Sequence, residues 1–288
     1  MLTEKWQVLS PKGQNDRVVS LARVSTEELR RLYESDVPVL AVEFSRSAAK
    51  DWAPPHSHVR GQLFALNQGL LIVDAPGGRW MFPSPRCAWI PPNCVHSARS
   101  VGGAAGSMLF LSAELSRGLP REPRLLGSSE LLLAVVNRIL GWSPSGPVSA
   151  SQNRILSVLR DEILRPEEQL LRLPIPKRER LAKVARALLE NVADERTLDE
   201  WAKEAGMSRR TFMRAFSAEM RMPFGHWRQQ ARLFAALERL AKHESVTDVA
   251  IAVGYESVSA FIEMFRATLG TTPRAYFQQR ERQPAGEA

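Results

Sequence analysis

The sequence predicts a multidomain α+β chain with a β-rich N-terminal domain, a pair of middle helices and an all-α C-terminal domain. Three observations carry the prediction. Between residues 39 and 111 short apolar β-type runs alternate with Pro and Gly clusters; from residue 130 onward apolar residues recur at helical spacing; and residues 197–277 contain one local design twice, offset by 48 to 50 residues. At 288 residues, with 44% hydrophobic and 24% charged side chains, the chain has the size and composition of a two-domain water-soluble protein.

The formal net charge of +8 suits a polyanionic partner, but it is spread along the chain and is not diagnostic. No apolar stretch reaches the roughly 20 residues of a membrane span. The N-terminus lacks the charged-then-apolar order of a signal peptide, so a cytoplasmic protein with no membrane partner is expected. Cys87 and Cys94 are too few for a disulfide framework and lack a C-x-x-C spacing. They read as buried thiols.

Residues 1–38 form an N-terminal extension in which residues 25–36 look helical. Residues 39–125 hold six short strand-like runs with closely spaced turn signals, which suggest a barrel or jelly roll and not a parallel sheet. Within them His56 and His58 are separated by one residue, a spacing that puts both imidazoles on one face of a strand. His96 follows later, and the three together have the look of metal ligands. Trp52, Leu63, Phe64, Trp80 and Trp89 are the aromatic and apolar candidates for a pocket, each more readily explained individually as core.

Residues 126–165 read as a helical hairpin, with helices at 130–142 and 152–164 split by a loop rich in Ser, Pro and Gly. Its apolar faces can cover the sheet or pair with a second protomer, and the sequence leaves both open. Residues 166–180, with three prolines, form the interdomain linker.

In the first copy of the repeat, Thr197 and Glu200 have capping-box spacing. Leu198, Trp201, Ala202 and Ala205 form an apolar stripe, Gly206 supplies a turn, and Ser208 caps a second helix. On that helix Phe212, Ala215, Phe216 and Met220 face inward, leaving Arg209, Arg210, Met213, Arg214 and Ser217 outward. The second copy repeats the plan with Val246, Val249, Ala250 and Val253, then Gly254 and Tyr255, the cap Ser257, and Phe261, Met264, Phe265 and Leu269. Its outward face holds Val258, Ser259, Ile262, Glu263 and Arg266 and is less basic. Residues 225–242, without Pro or internal Gly, predict a connecting helix of roughly 25 Å. Any small helical domain shows buried Phe and Leu; recurrence of Gly and capping Ser in register is what points to two helix-turn-helix units reading successive major-groove segments.

Residues 181–277 resemble the DNA-binding domain of the AraC family of bacterial transcription regulators, down to the tail Gly270-Thr271-Thr272-Pro273-Arg274-Ala275-Tyr276-Phe277. The domain is bounded at 181–280, with a tail at 281–288. The resemblance implies sequence-specific promoter binding, contact with RNA polymerase and a homodimer. It places DNA contacts on Arg209, Arg210, Met213 and Arg214 behind the cap Ser208, and on Val258, Ser259, Ile262 and Glu263 behind the cap Ser257. Arg214 keeps the arginine often found two residues before the motif Phe; Glu263 replaces it in the second unit.

His56-Ser57-His58, Gln62, Gly69, and the later Pro91 and His96 resemble the cupin motifs, with Gln62 where metal-binding cupins usually carry Glu and Asn93 where Gly is expected. A cupin-like jelly-roll barrel is the fold so implied. Three roles remain open for the histidines: a vestigial trio or effector contacts together with Gln62, Trp80 and Trp89; ligands of a divalent metal such as Zn, Ni or Co; or structural side chains near a rim. The expected function is a transcription regulator responding to a small-molecule or metal effector. The alternative is a metal-dependent cupin enzyme fused to a DNA-binding domain. No phosphate loop, G-x-S-x-G elbow or H-E-x-x-H occurs, so no catalytic residue and no certain cofactor is assigned.

Overall fold

The computed structural model describes residues 37–46, 52–127, 129–142, 148–165 and 171–281. The N-terminal extension with its expected helix, the centre of the 143–147 loop, linker residues 166–170 and the tail beyond Glu281 lie outside the described residues. The chain divides into two compact units, Met1–Pro76 with Trp80–Gln169, and Gly77–Arg79 with Leu170–Ala288.

In the first unit the strands are β1 (Val39–Arg46), β2 (Trp52–His56), β3 (Gly61–Ala75), β4 (Gly78–Pro83), β5 (Arg86–Ile90), β6 (His96–Leu111) and β7 (Arg124–Leu126). Two of the expected short runs are one strand: β3 continues through Gly69, whose φ of 86° and contact with the Gly103 carbonyl leave no room for a side chain. Register shifts flank it, between Leu66 and Gln68 and between Gly69 and Leu70, so β3 bends without losing its pairing to β6. The polar first half of β6, outside the apolar runs of the sequence, is a strand because β2 and β3 pair with it on its two sides. Its second half pairs with β1, from Val39↔Leu111 to Arg46↔Ala104. The strand path does not return on itself, so the sheet is open, in contrast to the closed barrel expected.

Alternation along the strands sends side chains to two faces. Leu63, Ala65, Cys87, Trp89, Leu109 and Leu111 form one buried cluster with α1 (Glu130–Leu140) and α2 (Ala150–Leu164). The helices contribute Leu132, Val135, Val136, Ile139, Leu156, Leu159 and Ile163, so the helical hairpin covers the sheet. Both helices start where sequence chemistry dictates: Ser129 accepts from the Leu132 amide, and Ser149 and Gln152 form a capping box. Buried Glu162 accepts from the Ser129 hydroxyl at 2.5 Å and from Arg165 at 3.2 Å, tying the start of α1 to the end of α2.

The second unit contains the short strand β8 (Arg172–Leu173) and helices α3 (Glu179–Glu190), α4 (Leu198–Glu204), α5 (Arg209–Met220), α6 (Phe224–Ala241), α7 (Val246–Ala252), α8 (Val258–Leu269) and α9 (Pro273–Glu281). Part of the expected linker is fastened to this unit. Leu171 and Leu173 are buried, the Trp227 indole donates to the Pro174 carbonyl at 2.7 Å, and Glu219 accepts from the Arg178 amide at 3.0 Å.

Each helix pair has its own aromatic core. Phe212, Phe216, Phe224 and Trp227 pack with ring centroids 5.1 to 5.7 Å apart. In the second pair Tyr255, Phe261, Phe265 and Tyr276 form a chain at 5.5 to 5.9 Å. Tyr276 comes from the Gly-Thr-Thr-Pro tail, which gives that tail a packing role: Pro273 opens α9, where a missing amide hydrogen costs nothing, and Tyr276 lands on Phe265.

Candidate functional site

The first helix-turn-helix is α4–turn–α5. Thr197 and Glu200 form the expected capping box, with the Thr197 amide donating to the Glu200 carboxylate at 2.7 Å. Gly206 turns the chain at φ 64°, and Ser208 accepts from the Thr211 amide at 3.3 Å to start α5. Phe212, Phe216 and Met220 are buried, while Arg209, Arg210, Thr211, Met213 and Arg214 are exposed. Arg209 is not free: its guanidinium meets Asp199 of α4 at 3.0 Å. Among the described residues Arg210 and Arg214 have no carboxylate partner, and they stand one turn apart on the same face.

The second is α7–turn–α8. Ser245, a cap the sequence reading passed over, accepts from the Asp248 amide at 3.1 Å. Gly254 turns at φ 83°, and Ser257 accepts from the Ala260 amide at 3.2 Å. Phe261, Met264 and Phe265 are buried. Ser259, Ala260, Glu263, Arg266 and Ala267 face outward, with Val258 and Ile262 half-buried. Ala260 also escaped the sequence reading, although its place one position beyond Ser259 on the same exposed arc was open to a helical-wheel argument.

Arg228 of α6 donates to the carbonyls of Arg196, at 3.3 Å, and Asp194, and Arg196 lies 3.7 Å over the Trp201 ring. Arg232 donates to the Val192 carbonyl at 3.1 Å and sits 5.6 Å over Tyr255. Burial raises the Tyr255 pKa, and Arg232 opposes that shift. The connecting helix thus fixes the loop before α4 through both arginines and reaches the second turn through Arg232, so their charge is spent on structure.

In the first unit the three histidines converge. His56 pairs directly across the sheet with His96, and His58 stands just past the end of β2, not on it. Ring centroids are 4.4 Å apart for His56 and His96, 5.2 Å for His58 and His96, and 6.0 Å for His56 and His58. Asn93 occupies the left-handed region at φ 59°, which Asn tolerates, so it takes the conformation expected of Gly there. Its amide donates to the His58 carbonyl at 2.8 Å, clamping the two histidine-bearing loops together.

All three imidazoles spend Nδ1 on a backbone carbonyl: His56 on Pro54 at 2.8 Å, His58 on Arg60 at 2.5 Å and His96 on Cys94 at 2.9 Å. For His56 and His96, donation from Nδ1 leaves Nε2 as the lone-pair nitrogen, the form in which imidazole binds a metal; His58 Nε2 is turned to the Gln62 amide oxygen. One ligand nitrogen from each ring lies within 4.8 Å of the others. His96 is 1% exposed and its Nε2 is buried without a hydrogen-bond partner, which is costly unless something accepts the lone pair. Burial lowers the pKa of His58 and takes that of His96 down to about 4. His96 is therefore neutral near pH 7 with its Nε2 lone pair available, and burial favours the neutral form of His58 as well. The residues present fit a divalent ion.

Gln62, 5% exposed, places Oε1 3.0 Å from His58 Nε2 and donates from Nε2 to Met108 sulfur at 3.3 Å. Phe110 meets His58 edge-on at 5.7 Å. Trp89 lies elsewhere: it belongs to the cluster under α1 and α2 on the opposite face and donates to the Pro120 carbonyl at 2.9 Å. Leu63 shares that cluster, Trp80 and Phe64 are buried, and the Trp52 side chain lies outside the described residues. Cys87 is a core thiol pushed up to about 12 by burial, whereas Cys94 is half-exposed, contrary to the expectation of two buried thiols.

A capped, turned and exposed helix presented twice in one unit defines a helix-turn-helix DNA-binding protein. The family described as "Helix-turn-helix domain" matches residues 201–279. The chain is 31% identical over 238 residues to the HTH-type transcriptional regulator NimR of Escherichia coli K12, covering 82% of this chain and 87% of NimR. It is 39% identical over 106 residues to the transcriptional activator NphR of a Rhodococcus species, spanning 36% of this chain and 31% of NphR. The crystallised DNA-binding domain of AdpA in complex with a target DNA is 33% identical, with 36% of this chain and 96% of that one covered at a TM-score of 0.34. The chain belongs to the AraC family of transcription regulators.

Proposed function

We propose that the protein is a one-component, cytoplasmic transcription regulator, not an enzyme, that binds promoter DNA sequence-specifically through both helix-turn-helix units. Its first unit, read as a cupin-like sensor, holds the effector, and effector binding shifts the population of DNA-binding arrangements. The observation that carries the reading is Arg210 and Arg214: two exposed guanidiniums, one turn apart behind the Ser208 cap, without a carboxylate partner among the described residues. Such side chains match the O6 and N7 acceptors of guanine in the major groove. Ser208 and Ser257 fix the start of each reading helix, with Arg209, Met213, Val258, Ser259, Ile262 and Glu263 completing the DNA surface.

The effector site is centred on His56, His58 and His96, which would hold a divalent ion such as Zn, Ni or Co. Neutral imidazoles suit these ions and not Mg or Ca, which take oxygen ligands. Bound there, the ion supplies a Lewis-acidic position for an effector's donor atom, beside Gln62. Homodimerisation through the outer faces of α1 and α2 is part of the proposal; Leu131 and Leu164 are half-exposed there, at the end where Ser129 meets Glu162. RNA polymerase is the expected protein partner at the promoter.

The test is binding of the full chain to DNA from upstream of its own gene. Arg210→Ala and Arg214→Ala should each weaken operator binding by about 1–3 kcal/mol. Equal losses on operator and random DNA reduce them to phosphate contacts, and absence of any sequence preference refutes the reading.

A further inference from the structure

The two reading helices offer different chemistry. On α5 the long side chains free to reach a base are Arg210 and Arg214, with Met213 between them at 43% exposure. The first two turns of α8, by contrast, contain no Lys, Arg, Asn or Gln. They present methyl groups from Val258, Ala260 and Ile262, one hydroxyl from Ser259 and one carboxylate from Glu263. The charge around them differs as well. Residues 245–270 contain Asp248, Glu256 and Glu263 against Arg266 alone, whereas residues 197–222 set Lys203, Arg209, Arg210, Arg214 and Arg221 against Asp199, Glu200, Glu204 and Glu219.

The strong contacts are an Arg or Lys fork on guanine and an Asn or Gln fork on adenine; the leading turns of α8 have neither, and the single hydroxyl of Ser259 does not choose between the purines. What its surface complements is the one apolar feature of the major groove, the thymine 5-methyl group, and the one base edge that only donates, the cytosine N4 amino group. Short side chains also let the helix sit close to the groove floor, where a methyl contact is made.

The geometry points to a chemically asymmetric operator: a guanine-bearing segment under α5 and a thymine-bearing segment under α8, read through thymine methyls by Val258, Ala260 and Ile262, with a cytosine N4 donating to Glu263. This rests on the promoter-binding reading above. In the second segment affinity comes from shape and methyl burial, and the first segment supplies most of the salt-dependent attraction.

The test is selection of a bound duplex from a randomised library by the full-length chain, followed by replacement of each thymine with deoxyuridine, which deletes only the methyl. Each replacement under α8 should weaken binding about fourfold, the value of one buried methyl-sized group, and replacements under α5 should be silent. Ile262→Ala should abolish the discrimination between thymine and uracil at the base that Ile262 meets and leave it in place at the others. At the exposed neighbouring position, Glu263→Gln should move the preferred base from cytosine to adenine without loss of the fold. A selected operator whose thymine methyls are silent under α8, or one with guanine enriched there, overturns the inference alone. A chain that selects no sequence overturns the promoter-binding reading and the inference with it.

Discussion

Gly206 and Gly254 occupy the same position in the two copies, yet alanine at the second should cost about three times as much as at the first. Both turn the chain in the left-handed region, at φ 64° and 83°. A side chain there costs about 1–2 kcal/mol, partly offset by a less flexible unfolded chain. At Gly206 the added Cβ would meet only the Arg180 guanidinium at 3.8 Å, so strain is the whole cost, about 1 kcal/mol. At Gly254 it would lie 2.9 Å from the Ala193 Cα and 2.8 Å from the Arg232 guanidinium. The backbone contact cannot be relieved by rotation. Moving Arg232 forfeits its bond to the Val192 carbonyl and its place over Tyr255, about 1 kcal/mol each. The sum for Gly254→Ala is about 3 kcal/mol. Calorimetry of the full chain reads this as a drop in the second unit's transition, about 4–8 °C for Gly206→Ala and two to three times that for Gly254→Ala. Equal shifts for the two variants refute the reasoning.

The histidine site yields two further expectations. Equilibrium dialysis should load a single Zn or Ni ion per chain, and His96→Ala should weaken that binding at least about tenfold, as expected when a ligand is lost; undiminished loading in the variant removes His96 from the site. His96 also carries a pH signature. Its folded pKa, about 4, lies below the ordinary 6.5, so between those values only the unfolded chain takes up the proton. The metal-free protein therefore has the full contribution above about pH 6.5 and loses it as the pH falls to about 4, on the order of 3 kcal/mol from this group. Urea midpoints at pH 7 and 4.5, compared with those of His96→Gln, should show a steeper acid loss in the parent chain. Parallel falls contradict the burial argument.

Both turns and all but one of the caps in the two helix-turn-helix units were legible because their physics is local; Ser245 is the exception. Thr197 with Glu200, Ser208 with Thr211 and Ser257 with Ala260 act within four residues, and the turn glycines announce themselves beside them. The partner of Arg209 was not legible: Asp199 comes from the preceding helix across the turn, and nothing in the local spacing separates that arginine from Arg210. In the first unit the polar start of β6 has no apolar alternation of its own. It is a strand because β2 and β3 flank it.

By itself, then, the sequence determined the class of the apolar, periodic elements, the two repeated units and the identity of the three histidines, since periodicity, capping chemistry and residue type are properties of neighbours in the chain. Tertiary structure decided which faces those residues occupy. It put Trp89 beneath the helical hairpin and away from the histidines, left the sheet open, and turned the Nδ1 atoms of His56, His58 and His96 to backbone carbonyls. Those outcomes depend on register and on long-range pairing, where a shift of one residue would send every side chain to the opposite face.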